Sequence, residues 1–251
     1  MDIPTRIEHV ELKEIGFTTN NIQLLTDISF ELNSNGVNTI IGPNGSGKTL
    51  SNKILGLLLE PTKGTMLWND HGVPIHKSRD WLVHYRRKIG YMSQKPAFLN
   101  QRVDQNIELP LILMEMPKEE RKKRVTEYLR EFELEPLSKL HPNKLSLGQQ
   151  QKLSLLIALI RDPSILILDE PTASLDPKNT NWFEKYIKEK QIHQDRIVVW
   201  TTHDRFQMNR VSDQVIFVFN GSVIETGPKS ILKQPKHEKV LQYLNGELIL
   251  D

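Results

Sequence analysis

Short apolar runs rich in β-branched residues recur along the chain, each about as long as one strand. They occupy residues 37–41, 165–169, 197–201 and 215–219. Because an apolar run without polar alternation is typical of a strand buried on both faces, these segments predict a mostly parallel sheet. Asn220-Gly221 follows the last run and the letters SVIET come next, which predicts a hairpin with a two-residue turn.

The middle of the chain has helical periodicity instead of strand-like runs. One helix is predicted at residues 121–132, where four apolar side chains fall on one face: Val125, Tyr128, Leu129 and Phe132. A second, buried helix is predicted at residues 153–160. We therefore predict one α/β domain over residues 1–251, in which residues 95–155 form a helical subdomain inserted between residues 1–94 and 156–251.

Composition narrows the class of protein. The length of 251 residues fits one α/β domain, and 33 basic against 31 acidic residues leave a charge of +2, which argues against a nucleic-acid partner. The chain has no cysteine, which excludes disulfides and thiolate metal sites and suits a reducing cytoplasm. No apolar run reaches the length of a membrane span, and Met1–His9 does not resemble a signal peptide. We expect a soluble protein.

A glycine-rich loop follows the first buried run and precedes a predicted helix. Its letters, GPNGSGKT, match the phosphate-loop pattern at Gly42, Pro43, Asn44, Gly45, Ser46, Gly47, Lys48 and Thr49. Glycines let backbone N–H groups curl around phosphates at a helix N-terminus, where the helix adds positive potential. Lys48 would neutralise the β- and γ-phosphates of ATP, and the Thr49 hydroxyl would ligate Mg²⁺. A glycine-rich turn with a solvated lysine is the alternative, which the strand–loop–helix context disfavours.

Two carboxylates end the second buried run, in the letters ILILDE. A strand end beside a phosphate loop is where an aspartate orients Mg²⁺, and we assign that role to Asp169. Glu170 would then point at the γ-phosphate and polarise the attacking water. Alone, the pair could equally be a solvated strand end.

Residues 145–151 read LSLGQQQ, and here the sequence resembles the ABC ATPase family, whose hallmark is LSGGQ at this place. Other landmarks of that family follow in the same order over about residues 7 to 230. Gln94 matches the Q-loop, Asp176 ends a segment that matches the D-loop, and His203 matches the switch histidine. Each residue alone could be structural, and Ser146 could simply cap a helix.

The resemblance implies a P-loop NTPase of the ABC ATPase type: a RecA-like, mostly parallel core sheet with antiparallel β elements and a helical insert. It further implies a homodimer that sandwiches ATP, in which Ser146, Gly148, Gln149 and Asp176 belong to the nucleotide-binding set. A helix N-terminus at Ser146 and Gly148 would contact the γ-phosphate held by the other copy.

The resemblance assigns two further contacts with the nucleotide and one with the membrane. His203 would hold the γ-phosphate within its own subunit, and Gln94 would sense nucleotide and Mg²⁺. The helical insert, which begins at Gln94, would contact membrane subunits.

Two positions depart from the family pattern. Leu147 stands where the signature usually has its first glycine, so the backbone there must have an ordinary conformation and the side chain should point away from the phosphate. Phe17 lies about 25 residues before the phosphate loop, where the family has an aromatic residue that stacks on adenine. A core phenylalanine is the competing interpretation of Phe17.

Further features of the sequence indicate which class of ABC protein the chain resembles. The chain resembles free-standing importer ATPases, which act on the cytoplasmic face of the membrane with permease subunits and an extracytoplasmic solute-binding protein. The letters QQQK after the signature and the Gly-Glu-Leu near residue 247 resemble phosphate and tungstate importers, which favours an oxyanion solute. An exporter ATPase and an ABC ATPase of translation or DNA repair remain alternatives, whereas a P-loop kinase or GTPase conflicts with the signature and with His203.

Overall fold

Ten strands form one mixed sheet in the part of the chain that the computed structural model describes, residues 4–76, 79–191 and 194–247. Along the sheet their order is β5-β4-β1-β2-β10-β9-β3-β8-β7-β6. The strands are β1 (His9–Thr19), β2 (Ile22–Asn33), β3 (Val37–Ile41), β4 (Lys63–Trp68), β5 (His71–Val73), β6 (Ile89–Met92), β7 (Ile165–Asp169), β8 (Ile197–Thr201), β9 (Gln214–Phe219) and β10 (Ser222–Pro228).

The core of the sheet is parallel. Strand β3 pairs with β8 and β9, β8 pairs with β7, and β7 pairs with β6, in each case in parallel. Every residue of β3, β7 and β8 is buried, as expected for strands that are covered on both faces. The predicted strands are therefore confirmed, and β9 begins one residue earlier than predicted.

Antiparallel strands extend the sheet beyond β9. The hairpin of β9 and β10 turns at Asn220 and Gly221, whose φ angles are 46° and 73°. Both angles are positive, as a two-residue turn matched to the twist of the strands requires, and the hairpin prediction is confirmed. Strand β10 also pairs in parallel with β2 through Ser222 and Asp27, which joins the antiparallel group of β1, β2, β4 and β5 to the core.

Helices connect the parallel strands. The α-helices of the described residues are α1 (Lys48–Leu55), α2 (Arg79–Arg86), α3 (Val103–Ile112), α4 (Lys118–Glu131), α5 (Leu147–Leu159), α6 (Pro177–Tyr186), α7 (Arg205–Val211) and α8 (Glu238–Asn245). No α-helix among them is long and apolar enough to cross a membrane.

Helices α3, α4 and α5 occupy the predicted helical region between β6 and β7, where no strand intervenes. The predicted helix at residues 121–132 lies in α4, which starts three residues earlier and is capped by Phe132. The predicted helix at residues 153–160 is the second half of α5, so the predicted subdomain boundary at residue 155 falls inside one continuous helix. The division into subdomains stays a prediction.

Candidate nucleotide-binding site

The phosphate loop joins the end of β3 to the start of α1, and its glycines have conformations that other residues rarely adopt. Gly42, Gly45 and Gly47 have φ angles of 147°, 77° and 110°. A side chain at Gly42 would collide with the carbonyl of Val218, so that position also requires a glycine for space.

Lys48 lies inside the loop that precedes it. Its ammonium donates to the carbonyl oxygens of Gly42 at 2.9 Å and Pro43 at 2.8 Å. The side chain is buried, and burial lowers its pKa against the opposing effect of Glu170 and Asp169. The Lys48 ammonium is thus held by backbone carbonyl dipoles of the loop, close to two carboxylates.

Asp169 ends β7 with its carboxylate buried and hydrogen-bonded on both oxygens. One oxygen accepts from Thr49 Oγ1 at 3.3 Å, Asn52 Nδ2 at 3.1 Å and Thr201 Oγ1 at 2.8 Å. The other oxygen accepts from the Tyr91 hydroxyl at 3.2 Å. Burial raises the pKa of Tyr91, the negative charge of Asp169 raises it further, and the hydroxyl therefore stays protonated as a donor. The structure therefore brings Asp169 to Thr49, as the sequence predicts.

Glu170 contacts the other two predicted catalytic residues, Gln94 and His203. Its carboxylate accepts from Gln94 Nε2 at 3.0 Å and lies 3.2 Å from His203 Nδ1. Its backbone has a φ of 47°, a left-handed conformation that costs about 1–2 kcal/mol in a non-glycine residue. The backbone N–H of Glu170 donates to Thr201 Oγ1 at 2.9 Å, which helps to hold that conformation.

The signature residues form the start of α5. Ser146 caps this helix: its hydroxyl accepts from the Gln149 N–H at 3.4 Å, while the Gln149 side chain accepts from the Ser146 N–H at 2.9 Å. Leu147 is the first helical residue, has no positive φ and is 44% exposed, which confirms its predicted ordinary backbone.

The signature also touches the start of α6. A side chain at Gly148 would come within 2.7 Å of the Asn179 amide nitrogen. Asn179 in turn binds Asp176, which caps α6 by accepting from the Asn179 N–H at 2.9 Å. No hydrogen bond of the described residues joins the signature to the phosphate loop.

Phe17 lies in β1 and is half-buried against the apolar cluster on one side of the sheet. Phe17 pairs with Leu25 of β2. Leu25 in turn lies close to the phosphate loop, because a Cβ atom added at Gly47 would be 2.5 Å from a methyl group of Leu25. The strand partner of Phe17 therefore borders the phosphate loop. Stacking of Phe17 on adenine stays a prediction.

A cavity of about 350 Å³ opens beside Glu170 and His203, between the D-loop segment and α7. A polar network, buried at Gln207 and Glu184, forms part of its wall. Gln207 donates to Thr172 at 2.8 Å and to Glu184 at 3.0 Å, and the guanidinium of Arg210 makes two 2.8 Å bonds to the same Glu184. These bonds fix α7, and with it the position of His203 two residues before that helix.

A protein-family model described as ABC transporter matches residues 25–173. The chain belongs to the ABC transporter family. The match includes the phosphate loop, Gln94, the signature and the Asp169-Glu170 pair, so it covers most of the geometry described above. The predicted membership of the ABC family is confirmed.

Curated relatives of this ABC protein are transport ATP-binding proteins of several kinds. The glycine betaine/carnitine/choline transport ATP-binding protein OpuCA of Bacillus subtilis (strain 168) is 32% identical over 213 residues, which are 84% of this chain and 55% of OpuCA. The phosphate import ATP-binding protein PstB of Pyrobaculum aerophilum is 32% identical over 249 residues, which are 94% of this chain and 97% of PstB. The chain thus spans about half the length of OpuCA and nearly all of PstB.

Solved structures confirm the predicted fold. The dimeric ATP-binding cassette MJ0796, bound to ADP and Pi in a post-hydrolysis state, superposes with a TM-score of 0.79 at 31% identity and covers 88% of this chain and 98% of its own. The cbiO1 protein of Clostridium perfringens, part of the cbiONQ transporter complex, has a TM-score of 0.80 at 26% identity and covers 95% of this chain and 96% of its own.

Several residues of the site carry no sequence signal of their own. Asn52, Tyr91 and Thr201 bind Asp169 from three different elements, and Tyr243 reaches the phosphate loop from α8. Buried polar residues in otherwise apolar helices and strands are the available clue, and Asn52 and Thr201 both fit it.

Proposed function

We propose that this ABC protein binds Mg-ATP and hydrolyses it as one half of a homodimer. The observation that carries the proposal is the position of Glu170, held between Gln94 and His203 and directly after an Asp169 that contacts Thr49 of the phosphate loop. A carboxylate fixed in this way can accept a proton from water that attacks a γ-phosphate in the loop. The Gln94 amide, which donates to the carboxylate, helps to orient it.

The residues around Asp169 fit Mg²⁺. The Thr49 hydroxyl and a carboxylate oxygen of Asp169 lie 3.3 Å apart, and the Gln94 side chain reaches the same strand end through Glu170. Oxygen ligands are those that Mg²⁺ prefers. Among the described residues, no group of three or more His, Cys, Asp or Glu could hold a metal alone, which suits an ion that takes its other ligands from phosphate and water. When bound, Mg²⁺ would neutralise charge on the transferred phosphate.

The proposal of a dimer starts from the signature, which no hydrogen bond of the described residues joins to the phosphate loop. The capping box uses the N–H groups of Ser146 and Gln149, whereas no hydrogen bond of the described residues uses those of Leu147 and Gly148, so the first turn of α5 is a favourable place for an anion. Within one chain that end contacts α6 instead of Gly42–Thr49. We propose that it faces the γ-phosphate bound by a second copy, with Asp176 beside it, and the dimeric MJ0796 cassette supports this arrangement.

We propose that the dimer works on the cytoplasmic face of a membrane, bound to permease subunits that receive solute from an extracytoplasmic binding protein. The names of the relatives support transport but differ in solute: betaine and choline for OpuCA, and phosphate for PstB. The run Gln149–Lys152 and the full-length match to PstB favour an oxyanion such as phosphate or tungstate. Leu248, the last residue of the Gly-Glu-Leu segment, lies outside the described residues.

Nucleotide binding is tested by Lys48→Ala. Removal of a cation that faces two phosphates should weaken ATP binding by on the order of 10²-fold or more, because two charge-assisted hydrogen bonds are lost. Lys53→Ala, an exposed lysine of the same helix, is the matched control and should bind ATP normally. Equal affinities of the two variants, measured by titration calorimetry, would contradict the assignment of the phosphate loop.

The membrane partner is tested by purification from detergent extracts of the native cell. A transporter subunit should be recovered with a protein that has many membrane spans. Recovery with ribosomes or DNA would contradict the transport proposal and favour a role in translation or repair.

A further inference from the structure

The last described helix, α8, packs against the strand that leads into the phosphate loop. Val240 of α8 is fully buried in a small apolar cluster with Ile41, the residue directly before the loop, and with Phe217 of β9. The ring of Tyr243 packs edge-on against Phe217, with 5.1 Å between the ring centroids. Apolar contacts therefore place the α8 helix beside the start of the phosphate loop.

Polar contacts then link α8 to both sides of the nucleotide site. The Tyr243 hydroxyl donates to the carbonyl oxygen of Gly42 at 3.3 Å and lies 3.5 Å from the carbonyl oxygen of His203. Arg205, two residues after His203, donates to the carbonyl of Leu244 at 2.8 Å. Burial raises the pKa of Tyr243 to about 12, so the hydroxyl keeps its proton at neutral pH.

The Gly42 carbonyl has two side-chain donors, the hydroxyl of Tyr243 and the ammonium of Lys48. If the proposed function is right, a bound nucleotide draws the Lys48 ammonium toward its phosphates. The hydroxyl of Tyr243 is then the donor that still satisfies this buried carbonyl. We propose that Tyr243 is a positioning residue of the nucleotide site, whose hydroxyl holds the first residue of the phosphate loop and the switch segment in place when nucleotide is bound.

This role predicts an effect that depends on nucleotide. Without nucleotide, Lys48 still satisfies Gly42, so loss of the Tyr243 hydroxyl should change stability little. With nucleotide, the same loss leaves the carbonyl without a side-chain donor, and an unmade hydrogen bond of this kind weakens binding about three- to tenfold. A residue that only supported the packing of α8 would lower stability equally in both states.

The test is Tyr243→Phe, which removes the hydroxyl and keeps the ring against Phe217. Binding of Mg-ADP, which no hydrolysis disturbs, is measured by titration calorimetry, and the melting temperature of the nucleotide-free protein by scanning calorimetry. We expect a Kd for Mg-ADP raised about three- to tenfold and a nucleotide-free Tm within about 2 °C of the original. Tyr186→Phe is the matched control, because Tyr186 is also largely buried and donates to Glu131 at 3.1 Å.

The outcomes separate this inference from the proposed function. An unchanged Kd for Tyr243→Phe would overturn the role of the hydroxyl. An equal fall of Tm with and without Mg-ADP would overturn it as well, since that result marks a packing role only. Normal nucleotide binding by Lys48→Ala would contradict the proposed nucleotide site itself. If Lys48→Ala loses binding but Tyr243→Phe binds nucleotide normally, the site stands and the role of Tyr243 is contradicted.

Discussion

Glu170→Gln removes the proposed proton acceptor and keeps the shape of the side chain. A glutamine has the same shape, and its amide can turn so that its oxygen accepts from Gln94 and its nitrogen faces His203 Nδ1. Packing and ATP binding should therefore survive. What is lost is the basic oxygen, and the loss of a general base slows a reaction by roughly 10²–10⁴-fold. In barrier height this is about 3–5 kcal/mol.

The assay combines turnover and association. ATP hydrolysis is followed by phosphate release under single-turnover conditions, and the mass of the ATP-bound protein by light scattering. Because we propose that ATP lies between two copies, blocked hydrolysis should make the ATP-bound dimer accumulate. The matched control is Glu131→Gln, a carboxylate that binds Tyr186 away from the site, which should hydrolyse ATP at the original rate.

Two results would refute this reasoning in different ways. Normal turnover of Glu170→Gln would show that another group accepts the proton, with His203 the next candidate. Slow turnover without accumulation of a dimer would leave the role of Glu170 intact and would contradict the nucleotide sandwich.

Three smaller changes test other parts of the structure. Leu147→Gly should keep ATPase activity within a few-fold of the original, because that side chain is exposed at the start of α5; complete loss would reveal a role of Leu147 in the signature. Thr201→Val removes the hydroxyl that binds both Asp169 and the Glu170 N–H, and should lower the free energy of unfolding in urea by about 1–3 kcal/mol while reducing activity. Asn220→Ala places alanine at a φ of 46° and should lower stability by about 1 kcal/mol with unchanged ATP affinity; a stability equal to the original would contradict the turn geometry.

The parallel core was predictable because strands buried on both faces are rich in apolar residues. Residues 165–168 and 197–200 are unbroken apolar runs, and residues 37–41 are fully buried although they include Asn38 and Thr39. The phosphate loop and the Asp169-Glu170 pair were predictable because their chemistry depends on residues adjacent in sequence. The antiparallel strands β1 and β2 contain register shifts and exposed residues, so their apolar pattern is weak.

The supporting residues of the site could not be predicted in the same way. Asn52, Tyr91 and Thr201 reach Asp169 from one helix and two strands that only the tertiary fold brings together. Tyr243 meets Gly42 across 201 positions of the chain. No fixed spacing in sequence marks such contacts, because each depends on how the helices pack on the sheet.

The pairing of β3 sets the order in which this protein can assemble on the ribosome. Strand β3 leads directly into the phosphate loop, yet its neighbours in the sheet are β8 and β9, and Thr39 lies opposite Trp200 and Val215. At about 5–20 residues per second, roughly 10–30 s pass between synthesis of β3 and of its partners. During that interval a strand that is fully buried in the folded protein has no partner to pair with. Nascent chains of this protein therefore carry β3 unpaired until β8 and β9 have been synthesised, and unpaired strands of this kind are prone to aggregation.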